Sequence, residues 1–297
     1  MIANNNTKAL INLLDDPDIG VFKMVEQELV KKNAKIIPVL EEKWENSLDE
    51  ICQHRIENLI QFLHLKNLKK EMRAWVKKED PELLEGFFIL NKFLYPDLNI
   101  RPIERQIENL RKDIWLELND SLTSLEKTSV LNHVFFELNG YSINHSEINL
   151  PQNCFLNQVI ETKKGNSYSI AMLYTIVAQM LELPIFFIDF PRNPLLAWFD
   201  RQIAMEAHGE DIDTDIIFYI NPSNKGSITG RKELEYHLKK IKYTSDPKYY
   251  QKGDNRIFLL RLANQIEIAY KQMGLDDKSG IIYELKLIIT DFLGMNL

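Results

Sequence analysis

Residues 165–198 read GNSYSIAMLYTIVAQMLELPIFFIDFPRNPLLAW, and the fold turns on how this stretch is read. Ile170, Leu173, Tyr174, Val177, Met180 and Leu181 recur at helical steps, so the run predicts an apolar-faced helix from near Ser167 to near Glu182. Gly165 lets the backbone turn sharply into that helix, and Asn166 or Ser167 offers a side-chain oxygen to its first free amides. Pro184 closes it. Ile185 to Phe190 is almost continuously apolar, as in a strand covered on both faces, and Leu195 to Phe199 reads as the strand that follows. A helix that delivers its N-terminus to the edge of a sheet is a common place to build chemistry.

On the N-terminal side the pattern is helical from residue 7 to about residue 98. Asp18 caps a helix carrying Val21, Phe22, Val25 and Leu29; Ile36, Ile37, Leu40 and Trp44 mark the next, and Leu48, Cys52, Ile56, Leu59 and Leu63 a third. Cys52 lies on that apolar stripe and reads as a buried structural thiol. Asp80, Pro81 and Glu82 start a further helix that stops before Pro96. Stacked helices of this kind resemble armadillo or HEAT-like arrays, without a clean period. Pro102 opens a helix with Ile103, Ile107, Leu110 and Ile114, and Thr123 with Glu126 has capping-box spacing ahead of Val130, Val134, Phe135 and Leu138.

Tyr141 to Asn153 reads as a polar loop, and Cys154, Phe155, Leu156, Val159 and Ile160 as a short helix before the central one. Further on, Ile216 to Ile220 is a strand, Asn221 to Gly226 a turn and Arg231 to Ile241 a helix. The acids Glu210, Asp211, Asp213 and Asp215 lack the glycine and distal glutamate of a calcium loop and read as a hairpin tip. Two amphipathic helices, joined near Gly274 and Asp276, fill Ile257 to Leu293. They form one tetratricopeptide-like hairpin expected to pack back on the core.

Composition narrows the function. The 297 residues are 45% hydrophobic and 10% aromatic with a net charge of -7, as in an ordinary folded protein rather than a disordered one. Lys69 with Lys70, Lys77 with Lys78 and Lys239 with Lys240 read as solvated helix faces, so no nucleic acid is expected as a partner. No apolar run approaches bilayer length and no leader pattern opens the chain, so no membrane association and a cytoplasmic location are expected. Two cysteines, Cys52 and Cys154, exclude a disulfide framework. No histidine or cysteine pair has metal-ligand spacing, so neither a metal nor another cofactor is expected.

The order NCFLNQVIETKKGNSYSIAMLYTIVAQMLELP, then FPRNPLLAW, then FYINPSNKG, then a helical tail, resembles the bacterial SirB-type proteins of the transglutaminase-like superfamily over about residues 100 to 295. The resemblance implies a helix-rich α+β fold. An all-α region (1–98) precedes a papain/transglutaminase-like core (99–245) with a small antiparallel sheet on a central helix, and a tetratricopeptide-like hairpin (246–297) follows. Active members of the wider superfamily use a Cys at the start of the core helix, a His on a following strand and an Asp on the next. Here the Cys position falls on Ser167. The segment Pro-Gly-His-Phe-Leu matches Pro191 to Leu195, which puts Asn193 at the His position, and Asp-Pro matches Asn221 and Pro222.

Those substitutions remove the means of activation. A serine needs a general base within hydrogen-bond reach, and the Asn193 amide does not titrate usefully; Asn221 can orient a ring, but position 193 carries none. No catalytic residue is therefore expected. The protein reads as a catalytically inactive transglutaminase-like module that binds a protein or acts as a scaffold, with Tyr168, Arg192 and Trp198 as candidate cleft residues. The alternative is a cysteine or serine hydrolase or acyltransferase, with Cys154 or Ser167 as nucleophile and His145 or His208, both in predicted loops, as a relocated base. His133 reads as a core or boundary residue, and His54, His64 and His237 lie on helices away from the core motif. A homo-oligomer is compatible with exposed helical ridges.

Overall fold

In the computed structural model, residues 5–147, 149–208, 214–244 and 246–295 are described. Contacts divide the chain into two units, residues 1–74 and 75–297. The first holds α1 (Asn5–Asn12), α2 (Ile19–Lys31), α3 (Ile37–Asn46) and most of α4 (Glu50–Val76). Asp18 caps α2, its Oδ1 accepting from the Gly20 amide at 2.7 Å. Leu14, Leu29, Leu40, Cys52 and Ile56 form the fully buried centre of this unit. Leu48, read as the first member of the third apolar stripe, is instead fully exposed because α4 begins after it.

The second unit is a helix-rich α+β structure. It opens with α5 (Leu83–Lys92), α6 (Arg101–Glu117) and α7 (Ser124–Asn132), the last capped by Thr123 and Glu126 in the expected box. α7 passes into a wider π turn, His133–Leu138. The extra residue in that turn rotates the stripe, so Leu138, expected inside, is 62% exposed. His133 is likewise exposed and contacts Glu137 at 2.7 Å rather than sitting in the core. Next come β1 (Ser142–Ile143), α8 (Leu156–Thr162) and β2 (Lys164–Gly165), with β1 and β2 paired in parallel.

The central helix, α9, runs Ser167–Met180. Every residue from Tyr168 to Ala178 is buried, so α9 is covered on all sides rather than along one stripe. α5, α6, α8 and the sheet pack around it. Glu182 then takes a left-handed φ of 58° ahead of Pro184, which ends the helix slightly earlier than its apolar spacing predicts.

The chain continues into β3 (Ile185–Ile188), β4 (Leu195–Phe199), α10 (Arg201–His208), β5 (Ile216–Asn221), β6 (Ser227–Thr229) and α11 (Arg231–Lys240). The four strands form one antiparallel sheet in the order β3-β4-β5-β6. α11 covers the face away from α9 through Leu234 and Leu238, which pack with Ile188, Leu195 and Tyr219. His208, placed in a loop by sequence, ends α10. Of the acidic run, Glu210, Asp211 and Asp213 lie outside the described residues, while Asp215 accepts from Arg201 Nη1 at 2.8 Å. Among the described residues, no helix is long and apolar enough to cross a membrane.

α12 (Asn255–Gln272) and α13 (Asp276–Leu293) form the terminal hairpin. A buried pair joins them: Lys286 Nζ donates to Glu267 Oε2 at 2.7 Å, with both side chains nearly inaccessible. Burial pulls the Glu267 pKa upward, but hydrogen bonds from Lys271 and Lys286 outweigh it and hold the carboxyl below its ordinary range. A lowered folded-state pKa contributes stability above the unfolded value, and that contribution is lost as pH falls through the folded value. Replacing Lys286 with Ala is expected to cost about 2 kcal/mol near neutral pH. Urea unfolding should show the gap between variant and parent narrowing as the pH drops below about 4.

Candidate functional site

The N-terminus of α9 is closed by its own residues. Asn166 Oδ1 accepts from the Ser169 amide at 2.7 Å, and Ser169 Oγ accepts from the Asn166 amide at 3.0 Å, a reciprocal box. Ser169 Oγ also donates to the Asn153 carbonyl at 2.6 Å, and the Asn166 amide reaches that same carbonyl at 3.0 Å. Gly165 makes this possible because a Cβ there would lie 2.5 Å from Ser169 Oγ and 3.0 Å from Val159. Ser167, the first helical residue, is half-buried and makes no side-chain hydrogen bond to any imidazole among the described residues.

Cys154 sits beneath the same turn. It belongs to a single 3-10 turn, Pro151–Cys154, ahead of α8, rather than to the short helix expected from sequence. The thiol is 2% exposed, its sulfur accepts from Asn166 Nδ2 at 2.9 Å, and burial pushes its pKa far above the ordinary thiol range. A thiol held neutral and covered in this way serves packing.

The sheet register gathers the other two positions. Ile188 pairs with Leu195 and Leu196 with Ile220, so the β3–β4 loop and the end of β5 lie at one end of the sheet. Asn193 and Asn221 both line a cleft of about 570 Å³ there, with Arg192 beside them. Asn221 Oδ1 accepts from the Ser223 amide at 3.1 Å. Arg192 takes a left-handed φ of 71°, and its guanidinium lies 5.8 Å from the centre of the Tyr243 ring. That backbone region costs a side-chain-bearing residue about 1 kcal/mol relative to glycine. Ser167 is not part of the cleft lining.

Tyr168 and Trp198 are placed elsewhere. Both are buried and absent from the lining. Trp198, on β4, pairs with Ile185 and tilts against Phe218, and its indole nitrogen has no hydrogen-bond partner among the described residues. Burial raises the Tyr168 pKa, with Arg261 lowering it and Asp189 raising it. That Asp189 follows β3 and is gripped by Arg261 of α12 through two bonds of 2.8 Å, which fixes the edge of the sheet.

One cleft residue was assigned elsewhere by sequence: His237, read as remote from the core motif, lines the same cleft as Asn193 and Asn221. Its ring lies 6.3 Å from that of Phe190. The spacing of Glu233, Tyr236, His237 and Lys240 marks one polar side of α11 in the sequence, beside Leu234 and Ile241, which line the cleft with it. Among the described residues, no hydrogen bond joins an imidazole to Ser167 or Cys154, and no group of three or more acidic, His or Cys side chains is arranged to hold a metal.

Residues 101–264 match the sequence profile of the transglutaminase-like superfamily. A UPF0162 protein of Xylella fastidiosa (strain Temecula1) is 30% identical over 123 residues, covering 41% of this chain and 44% of that protein. A UPF0162 protein of Vibrio cholerae is 26% identical over 157 residues, or 53% of each chain. F-box only protein 21 of Mus musculus is 24% identical over 204 residues, covering 61% of this chain and 32% of that protein. The chain thus spans about half or less of the length of these relatives. No solved structure matches it.

Both cysteines are free and buried. Iodoacetamide at neutral pH should therefore modify neither in the folded chain and both after denaturation, as read by intact mass. Rapid modification of Cys154 in the native protein would show that the sulfur is accessible and ionised.

Proposed function

Because this chain belongs to the transglutaminase-like superfamily, we propose that it is a SirB-type member that keeps the family's catalytic frame without its chemistry and acts by binding another protein. One observation carries this reading. Asn193 and Asn221, at the His and Asp positions of the resemblance, line a common cleft as neutral amides, and Ser167 has no imidazole bonded to it. Acyl transfer needs an activated nucleophile, a base to take its proton and donors for the developing oxyanion. Ser167 lies outside the lining of that cleft and has no imidazole bonded to it among the described residues, so it lacks the first two.

The remaining features fit a binding role. An N-terminal helical region (1–98), a degenerate core (99–245) and a tetratricopeptide-like hairpin (246–297) are the parts we propose for the chain, and helical regions of this kind suit scaffolding or self-association in a homo-oligomer. The cytoplasm is the proposed location, since both cysteines are free thiols and a reducing compartment suits them. A hydrolase built on Cys154 is disfavoured by the burial of its sulfur.

The test is incubation of the full chain with a glutamine-bearing protein and a fluorescent primary amine, alongside a fluorophosphonate that reports activated serines. Incorporation and labelling at the level of the protein-free blank are expected, unchanged in Ser167→Ala. Stoichiometric labelling or turnover that Ser167→Ala abolishes would overturn the non-catalytic reading.

A further inference from the structure

The cleft that holds Asn193 and Asn221 has a charge and a backbone edge that specify an occupant. Two permanent cations, Arg192 and Lys240, enter its lining together with His237, in a chain whose net charge is -7. Its one carboxylate, Glu233, is already used. The Glu233 side chain accepts from Thr229 Oγ1 at 2.5 Å and from the Gly230 amide at 3.3 Å, and these bonds, the threonine's first, hold its pKa low. The amide NH₂ groups of Asn193 and Asn221 add donors that are not spent on hydrogen bonds among the described residues. The cleft therefore offers free donors, and its lining carries more positive than negative side chains.

Its remaining wall is β6. This strand ends the sheet order, so its outer edge has no neighbouring strand among the described residues, and Ser227 and Ile228 are exposed along it. An unpaired edge presents backbone donors and acceptors ready to pair with an extended chain. β6 spans three residues, enough for a short added strand of roughly 10 Å.

We propose that this cleft binds an acidic, extended segment of a partner protein, which adds to the edge of β6 and sets its carboxylates against Arg192 and Lys240. Main-chain pairing supplies affinity in such strand addition, and alternate side chains supply selectivity. The backbone at Arg192 adds a separate reason: a left-handed residue would be relaxed as glycine, yet it carries a guanidinium that lies over the Tyr243 ring and borders the cleft. The proposal rests on the non-catalytic binding reading above and adds the chemistry of the partner.

The experiment uses the full chain and a fluorescein-labelled dodecapeptide of alternating glutamate and valine, with a second peptide bearing lysine for glutamate and a third N-methylated at alternate backbone amides. Fluorescence anisotropy should show binding of the acidic peptide only, weakened about tenfold in Arg192→Gly and in Lys240→Glu and weakened as strongly by N-methylation. Arg192→Gly suits its left-handed position, so its loss of binding reports the guanidinium rather than misfolding. Equal binding of acidic and basic peptides, indifference to both variants or indifference to N-methylation would overturn the proposal, and so would a wild-type dimer that Arg192→Gly dissolves. Cleavage or covalent capture of the peptide, read by mass spectrometry, would instead overturn the non-catalytic reading.

Discussion

The second unit depends on one constraint: the first turn of a helix buried from Tyr168 to Ala178 must have its free amides satisfied with little help from water. α9 meets it with the reciprocal bonds between Asn166 and Ser169, and with the Asn153 carbonyl, which receives both the Asn166 amide and the Ser169 hydroxyl. A cap of this kind is worth about 1 kcal/mol where water can substitute, and more where it cannot. Gly165 and the Cys154 sulfur are both shaped by the same turn, one by the space it must leave and the other by the amide it receives. The polar groups at the helix start are spent on holding it together.

The same economy of polar contacts positions the cleft. Tyr174 of α9 donates to Asn132 Oδ1 at 2.8 Å, and Asn132 Nδ2 donates to the Gly226 carbonyl at 2.9 Å, so the β5–β6 turn is tied to the central helix. Gly226 permits that approach, since a Cβ there would collide with the Asn132 amide. From the other side, Arg261 holds Asp189 at the end of β3. Asn193 and Asn221 are thus carried on a sheet end fixed from two directions, which gives a rigid platform for recognition. What these positions offer is hydrogen-bonding capacity and, through Arg192 and Lys240, charge.

Much of this was legible in the sequence where local physics decides. The start of α9, Pro184 as a stop, β4 from Leu195 to Phe199 and the Thr123 box are set by caps, breakers and short-range periodicity. β6 was not legible, because Ser227 to Thr229 is short and its strand character comes from pairing with β5. Nor was the π turn after Asn132, which a periodicity of 3.6 cannot register and which turned His133 and Leu138 outward. His237 was misplaced for a different reason: its distance from the motif along the chain says nothing of the fold-back that sets α11 over the sheet.

The claim that no proton acceptor stands at the start of α9 is tested most directly by titrating a thiol placed there. In Ser167→Cys, the pH dependence of alkylation gives the pKa of a reporter at the position itself, with Cys52 and Cys154 buried and silent. Without a base or cation pair, the thiol should titrate at roughly 8, the ordinary value lowered only by the helix terminus. A pKa below about 6 would mean that an imidazole or other partner reaches this residue, and would contradict the inert site.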